Sequence, residues 1–160
     1  MRSRMAPLVR VPRTVPRILS PEDADGLVGA LRTHRDRAMV LAMLLAGLRR
    51  CEVLGLRFGD VQVADRRLMV VEGKGGHHRV VPAANRFFDA LGAYLHDERP
   101  ETARTDRVFV VLKGPRRGLP LSAEGLDEIL AGARHRGHEQ GVRGAEGAAA
   151  RTAAIGGGAG

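Results

Sequence analysis

The first regularly spaced apolar positions along the chain are Leu27, Val28 and Leu31, and they follow the tetrad Ser20-Pro21-Glu22-Asp23. That tetrad places a side-chain acceptor at an N-cap, a proline at the first helical position and an acid at the third, so the pattern predicts a helix from Pro21 to about Thr33 with one apolar face. A second helix is expected from Arg35. Its stretch from Ala38 to Ala46 is apolar on every side, which marks it as the buried centre of a domain, with Gly47 as its stop. Arg50 to Leu56 reads as a short helix.

Alternation then replaces helical spacing. Arg67–Glu72 and His78–Pro82 read as two strands joined across Gly73-Lys74-Gly75-Gly76, a hairpin with a basic tip. Asn85 is a candidate cap for a helix that aligns Phe87, Phe88, Leu91, Tyr94 and Leu95, and a short strand is expected near Arg107–Val111. Ser122 opens a last helix with Leu126, Ile129, Leu130 and Ala133 on one face. Beyond Arg134 the pattern dissolves: of the 25 residues from Arg136 to Gly160, eight are Gly and seven are Ala, which supplies too little apolar volume for a core and reads as a disordered tail. The fold class is α+β, mainly α, with helices around a small antiparallel sheet. Residues 1–19 form a basic, proline-containing arm, 20–133 the domain and 134–160 the tail.

Composition narrows the function classes. The 160 residues suit one domain, and the longest apolar stretch is far short of the ~18 residues a bilayer span needs. The single cysteine, Cys51, has no partner for an internal disulfide, and the N-terminus lacks the apolar region of a signal peptide, so the cytoplasm is the expected location. The formal net charge is +8, and its placement matters more than its size. Five arginines and no acid lie within residues 1–20, four arginines face two glutamates in 134–160, and the remainder is near neutral with 17 basic and 16 acidic residues. A basic arm supports contact with phosphate; the near-neutral body does not by itself define a DNA-binding domain.

Two places carry candidate chemistry. In Ala46-Gly47-Leu48-Arg49-Arg50-Cys51-Glu52 one helix ends and another begins, which would hold the Arg49 guanidinium at a rigid junction. A planar, permanently charged fork there suits two phosphate oxygens and the charge they gain in phosphoryl transfer. The plainer reading is a helix cap or a pair with Glu52. Lys74, one of only two lysines among 26 cations, sits in the glycine-rich turn, where it either reaches a ligand or simply faces solvent. The turn is neither a Walker loop nor a dinucleotide fingerprint. His77 with His78, and His135 with His138, lack a third ligand at a recognisable spacing, so no metal is expected.

Taken in order, "LSPED", "HRDRAMVLAMLLAGLRRCEVLGLRFGDV", "GKGGHHRVVP" and "GLPLSAEGLDEIL" make the run from Ser20 to Ala133 resemble the catalytic domain of the tyrosine recombinase, or phage integrase, family. The resemblance implies a DNA strand transferase in which a tyrosine attacks the backbone phosphorus, forms a 3′-phosphotyrosyl link and expels a 5′-hydroxyl, without metal or nucleotide cofactor. Arg49 matches the family's first catalytic arginine. Lys74 matches the hairpin lysine that enters the minor groove and is the proposed proton donor to the leaving oxygen. Arg50, His77 and Arg79 are expected to bind DNA, Glu52 to support the junction, and the partners to be double-stranded DNA and other recombinase protomers, with no membrane.

The sequence also departs from the family. No His-x-x-Arg pair, second His or Trp, and nucleophilic Tyr follow Ala133; His34–Arg37 and His96–Arg99 fit the string but fall in the wrong places. The one tyrosine, Tyr94, shares an apolar face with Phe87 and Leu91 and is expected in the core. The expectation is therefore a truncated, inactive member whose C-terminal part is missing, with a frameshift near residue 134 as one origin. The alternatives are a non-catalytic DNA-binding module and a remnant without a stable core.

Overall fold

Helix α1 (Pro21–Gly29) begins where its cap directs: the Asp23 N–H donates to Ser20 Oγ at 3.1 Å. It stops short of Thr33, because Thr33 has another task. Its hydroxyl accepts from the Asp36 N–H at 3.1 Å as the N-cap of α2 (His34–Leu45), and a residue in extended N-cap geometry cannot also extend the preceding helix. The start of α2 is capped from a distance as well. Glu98 Oε1 accepts from the His34 N–H at 2.8 Å and Oε2 from the Arg35 N–H at 3.0 Å, placing a carboxylate at the positive end of the helix. The structure, a computed structural model, describes residues 20–71 and 76–155, with backbone alone beyond Gln140. The arm, Lys74 and the last five residues lie outside the described residues.

Ala38 to Ala42 are fully buried, as expected of a central helix, but the last turn is not: Leu44 is 36% and Leu45 48% exposed. The apolar run continues past the point where the later helices cover it. Helix α3 (Arg50–Gly55) and a 3-10 turn (Phe58–Asp60) lead into an antiparallel sheet of order β1 (Val61–Gln62), β2 (Arg67–Val71) and β3 (His78–Pro82). In the β2/β3 register Leu68 opposes Val81 and Val70 opposes Arg79. Leu68 and Val70 are buried while Met69 and Val80 are half-buried and exposed, so alternation turns Arg79 towards the body and His78 away from it.

Helix α4 (Asn85–Ala93) has Ala84 at its N-cap position, with Asn85 as its first helical residue, and it unwinds into a π-type turn over Tyr94–Glu98 closed by Arg99 N–H to Tyr94 O at 2.9 Å. Phe87, Phe88, Leu91 and Tyr94 are buried, but the wider turn rotates Leu95 outwards to 36% exposure. The expected strand near Arg107–Val111 is instead an extended segment holding two isolated bridges, Arg57 to Arg107 and Val110 to Pro120. Its backbone groups are shared between Leu56 on one side and Leu119 and Leu121 on the other, so among the described residues no second strand lies alongside it for a ladder.

Helix α5 opens beside Ser122, whose Oγ accepts from the Gly125 N–H at 3.1 Å, and runs from Ala123 to Ile155. It thus continues past Arg134, where the apolar spacing ends. Between Arg134 and Ile155 six alanines, the best helix formers, outnumber four glycines, and a helix satisfies its backbone locally without a core. The contact with the body also passes that point, since Arg136 Nε donates to Ala30 O at 3.0 Å. The core gathers Leu31, Met39, Leu68, Phe87, Tyr94, Phe109 and Leu126, each contributing roughly 1.5–3 kcal/mol by burial. Among the described residues no helix is long and apolar enough to cross a membrane.

Candidate functional site

The junction is built by one glycine and one leucine. Gly47 adopts φ +70° and reverses the chain after α2, and the Leu48 N–H reaches back to Ala42 O at 3.3 Å. Leu48 then sinks into the core with 4% exposure. A buried leucine on one side and a helix start on the other leave Arg49 little freedom at its backbone while its side chain stands in solvent. It is the N-cap of α3, in extended geometry.

Glu52 closes the start of α3. Its Oε2 accepts from the Arg49 N–H at 2.8 Å, and the same carboxylate meets a guanidinium from the sheet, with Arg79 Nη1 at 2.7 Å from Oε1 and Nη2 at 3.0 Å from Oε2. The Glu52 side chain is 6% exposed and that of Arg79 33%. The Arg79 hydrogen bonds hold the Glu52 carboxyl below its ordinary range against the opposing effect of burial, with the Arg49 N–H assisting. A bidentate pair of this kind fixes direction as well as distance.

Arg49 is exposed at the junction. Arg50, also exposed, pairs with Asp127 on α5, which raises its pKa through a hydrogen bond and links α3 to the last helix. His77 is exposed beside Gly76, whose φ is +68°. Arg79 is turned towards the body, onto Glu52, with a third of its side chain still exposed. Lys74 falls outside the described residues, but the strands that flank it are tied to Arg49 through Arg79 and Glu52. Reading the sequence missed this tie, although the alternation of β3 already placed Arg79 on the inward face. It also missed Asp127, which no local spacing connects to Arg50.

Tyr94 is a core residue. It is fully buried, its hydroxyl donates to Val108 O at 2.9 Å and accepts from the Val110 N–H at 3.2 Å, and burial pushes its pKa up. Cys51 is exposed, and among the described residues no group of three metal-binding side chains gathers.

A guanidinium set on a glycine-led helix junction, a carboxylate beneath it and a basic hairpin tied to that carboxylate, all on a mainly helical frame, define the class as the recombinase catalytic fold anticipated above. Comparison with known proteins agrees. The phage integrase family matches residues 17–148, and the chain belongs to that family. It is 35% identical over 125 residues to the tyrosine recombinase XerC 2 of Ralstonia nicotianae, covering 73% of this chain and 35% of that protein. It is 38% identical over 96 residues to the tyrosine recombinase XerA of Thermococcus kodakarensis, covering 58% and 34%. Among solved structures, a crystal structure of XerA recombinase superposes with a TM-score of 0.64 at 25% identity, covering 75% of this chain and 42% of that one. The chain spans about a third of the length of the curated relatives it matches.

Proposed function

We propose that this domain is the phosphate-handling part of a site-specific DNA strand transferase, with duplex DNA as its substrate. Arg49 neutralises charge on the non-bridging oxygens of the scissile phosphodiester, and Lys74 protonates the departing 5′ oxygen. Arg50, His77 and Arg79 flank them, no cofactor takes part, other recombinase protomers are the assembly partners and the cytoplasm is the location. The observation that carries this reading is the Arg49 turn: the backbone is immobilised by Leu48 and by Glu52, while the guanidinium is left exposed. A cation fixed before the phosphate arrives needs no reorganisation as charge develops, which is where such groups contribute most to rate. Nucleophilic attack is not supplied by these 160 residues, whose one tyrosine is buried and hydrogen-bonded through its hydroxyl.

The test has two readings. Binding of a DNA duplex should weaken steeply with salt, with a slope near −0.9 per phosphate neutralised, and Arg49→Ala should weaken it further. Absence of binding at low salt overturns the proposal. A nicked suicide duplex should yield no covalent adduct, and an adduct that survives denaturant would show that the attacking group is present after all.

A further inference from the structure

We propose that Arg79 is a positioning residue for Arg49, acting through Glu52, rather than a phosphate contact in its own right. This rests on the strand-transferase reading of the junction and deepens it. β3 carries two neighbouring residues of opposite facing, and its register places Arg79 across from the buried Val70 and His78 across from the exposed Val71. Arg79 therefore leaves the sheet on the side of the body. There both of its terminal nitrogens meet the two oxygens of Glu52, at 2.7 and 3.0 Å.

Glu52 is not a free surface acid that happens to lie within reach. With 6% of its side chain exposed, it spends one oxygen on the Arg49 N–H as well. One carboxylate thus holds the backbone of the exposed cation and the side chain of the hairpin strand at once. Glu52 accepts from the Arg49 amide and from the Arg79 guanidinium directly, so a displacement of β3 is transmitted to the turn that presents Arg49. The fork geometry matters here, because two parallel hydrogen bonds resist rotation where a single ammonium contact would not. Arg50 has its own separate tie, to Asp127 on α5, so the two adjacent arginines are held by different elements.

The experiment uses the 160-residue protein with nitroxide labels on its native Cys51 and on Val71→Cys, both exposed positions. Pulsed dipolar spectroscopy should give one narrow distance distribution, which Arg79→Met and the near-isosteric Glu52→Gln should each broaden to a similar extent while cooperative melting is retained. Arg79→Lys should recover part of the narrowing. A distribution left as narrow as in the parent by Glu52→Gln overturns the proposal, as does one that Arg79→Lys does not narrow relative to Arg79→Met.

A second measurement reads duplex DNA affinity in a cycle of Arg79→Met and Arg49→Met. Positioning predicts a double variant no weaker than Arg49→Met alone, with a coupling of about twofold to a hundredfold in Kd. Additive losses would mean that Arg79 meets phosphate directly, and would overturn it. Failure of every variant and of the parent to bind DNA refutes the strand-transferase reading, and the label distances still decide whether Arg79 holds the turn.

Discussion

Replacing Tyr94 with phenylalanine separates the structural role of this residue from any part in the chemistry. The substitution removes one oxygen and leaves the ring, which stacks on Phe109 at a centroid distance of 5.7 Å, so no cavity of consequence forms. What is lost is a hydroxyl serving two buried backbone groups. Val108 O keeps a second, longer donor in Arg99 Nε at 3.4 Å, whereas the Val110 N–H loses the acceptor it has at 3.2 Å. An orphaned buried donor costs about 1–3 kcal/mol. For a chain of this size that lowers the melting temperature by about 2–4 °C per kcal/mol. In urea, with a slope of about 2 kcal/mol per molar, the midpoint falls by about 0.5–1.5 M with the slope unchanged. Thermal and urea unfolding followed by far-ultraviolet circular dichroism provide the measurement, alongside duplex DNA binding, which should be the same in both proteins. A Tyr94→Phe protein as stable as the parent would refute the hydrogen-bond argument, and one that loses a covalent DNA adduct formed by the parent would refute the core assignment altogether.

Three further outcomes follow from single contacts. Gly47→Ala places a β-carbon in open space but at φ +70°, so thermal unfolding should show a loss of about 1–2 kcal/mol from the backbone alone, and an unchanged midpoint would contradict the left-handed junction. Glu98→Gln leaves α2 with a weaker, uncharged cap at two N–H groups and should lower stability by about 0.5–2 kcal/mol in the same assay, an effect a purely surface glutamate would not have. Glu52 titrates below its unfolded value in the folded state, so its contribution is complete above the ordinary carboxylate range and disappears as pH falls through the folded pKa. Stability should therefore rise with pH across the acidic range. Glu52→Gln should flatten that rise, leaving the smaller, salt-screened part from Asp106 beside Arg57, which shifts in the same direction.

The helices and the hairpin were legible because their signals are local. Ser20 and Thr33 act as caps within three residues, Gly47 turns the chain where the apolar run needs a stop, and alternation gives β2 and β3 their faces. The errors share a different cause. Leu95 rotates outwards because the π-type turn at Tyr94 breaks the 3.6-residue period on which its expected burial depended. The β-branched run near Val108 looks like a strand, yet its partners are the loops after α3 and before α5, which no pattern within the run could reveal. Helix α5 runs past Arg134 because backbone hydrogen bonds do not require a buried face, a property that the spacing of apolar residues does not report.

The same distinction governs the site. Arg49 could be singled out from its neighbours, since a glycine, a buried leucine and a helix start all lie within a few residues of it. What makes its direction definite is less local: Glu52 lies one helical turn away, but Arg79 reaches it across 27 residues of chain. Both ends of that link were visible in the sequence as charged residues of opposite sign, with nothing to say that they meet. Arg50 shows the converse. Its adjacency to Arg49 suggested a shared surface role, while its partner Asp127 stands 77 residues away on α5. Charge type and local geometry thus identify which groups are able to act on a phosphate, and long-range pairs decide which of them are held still and which are already engaged. In this domain the second question separates Arg49, with an anchored backbone and an exposed head, from Arg79, whose head is the anchor.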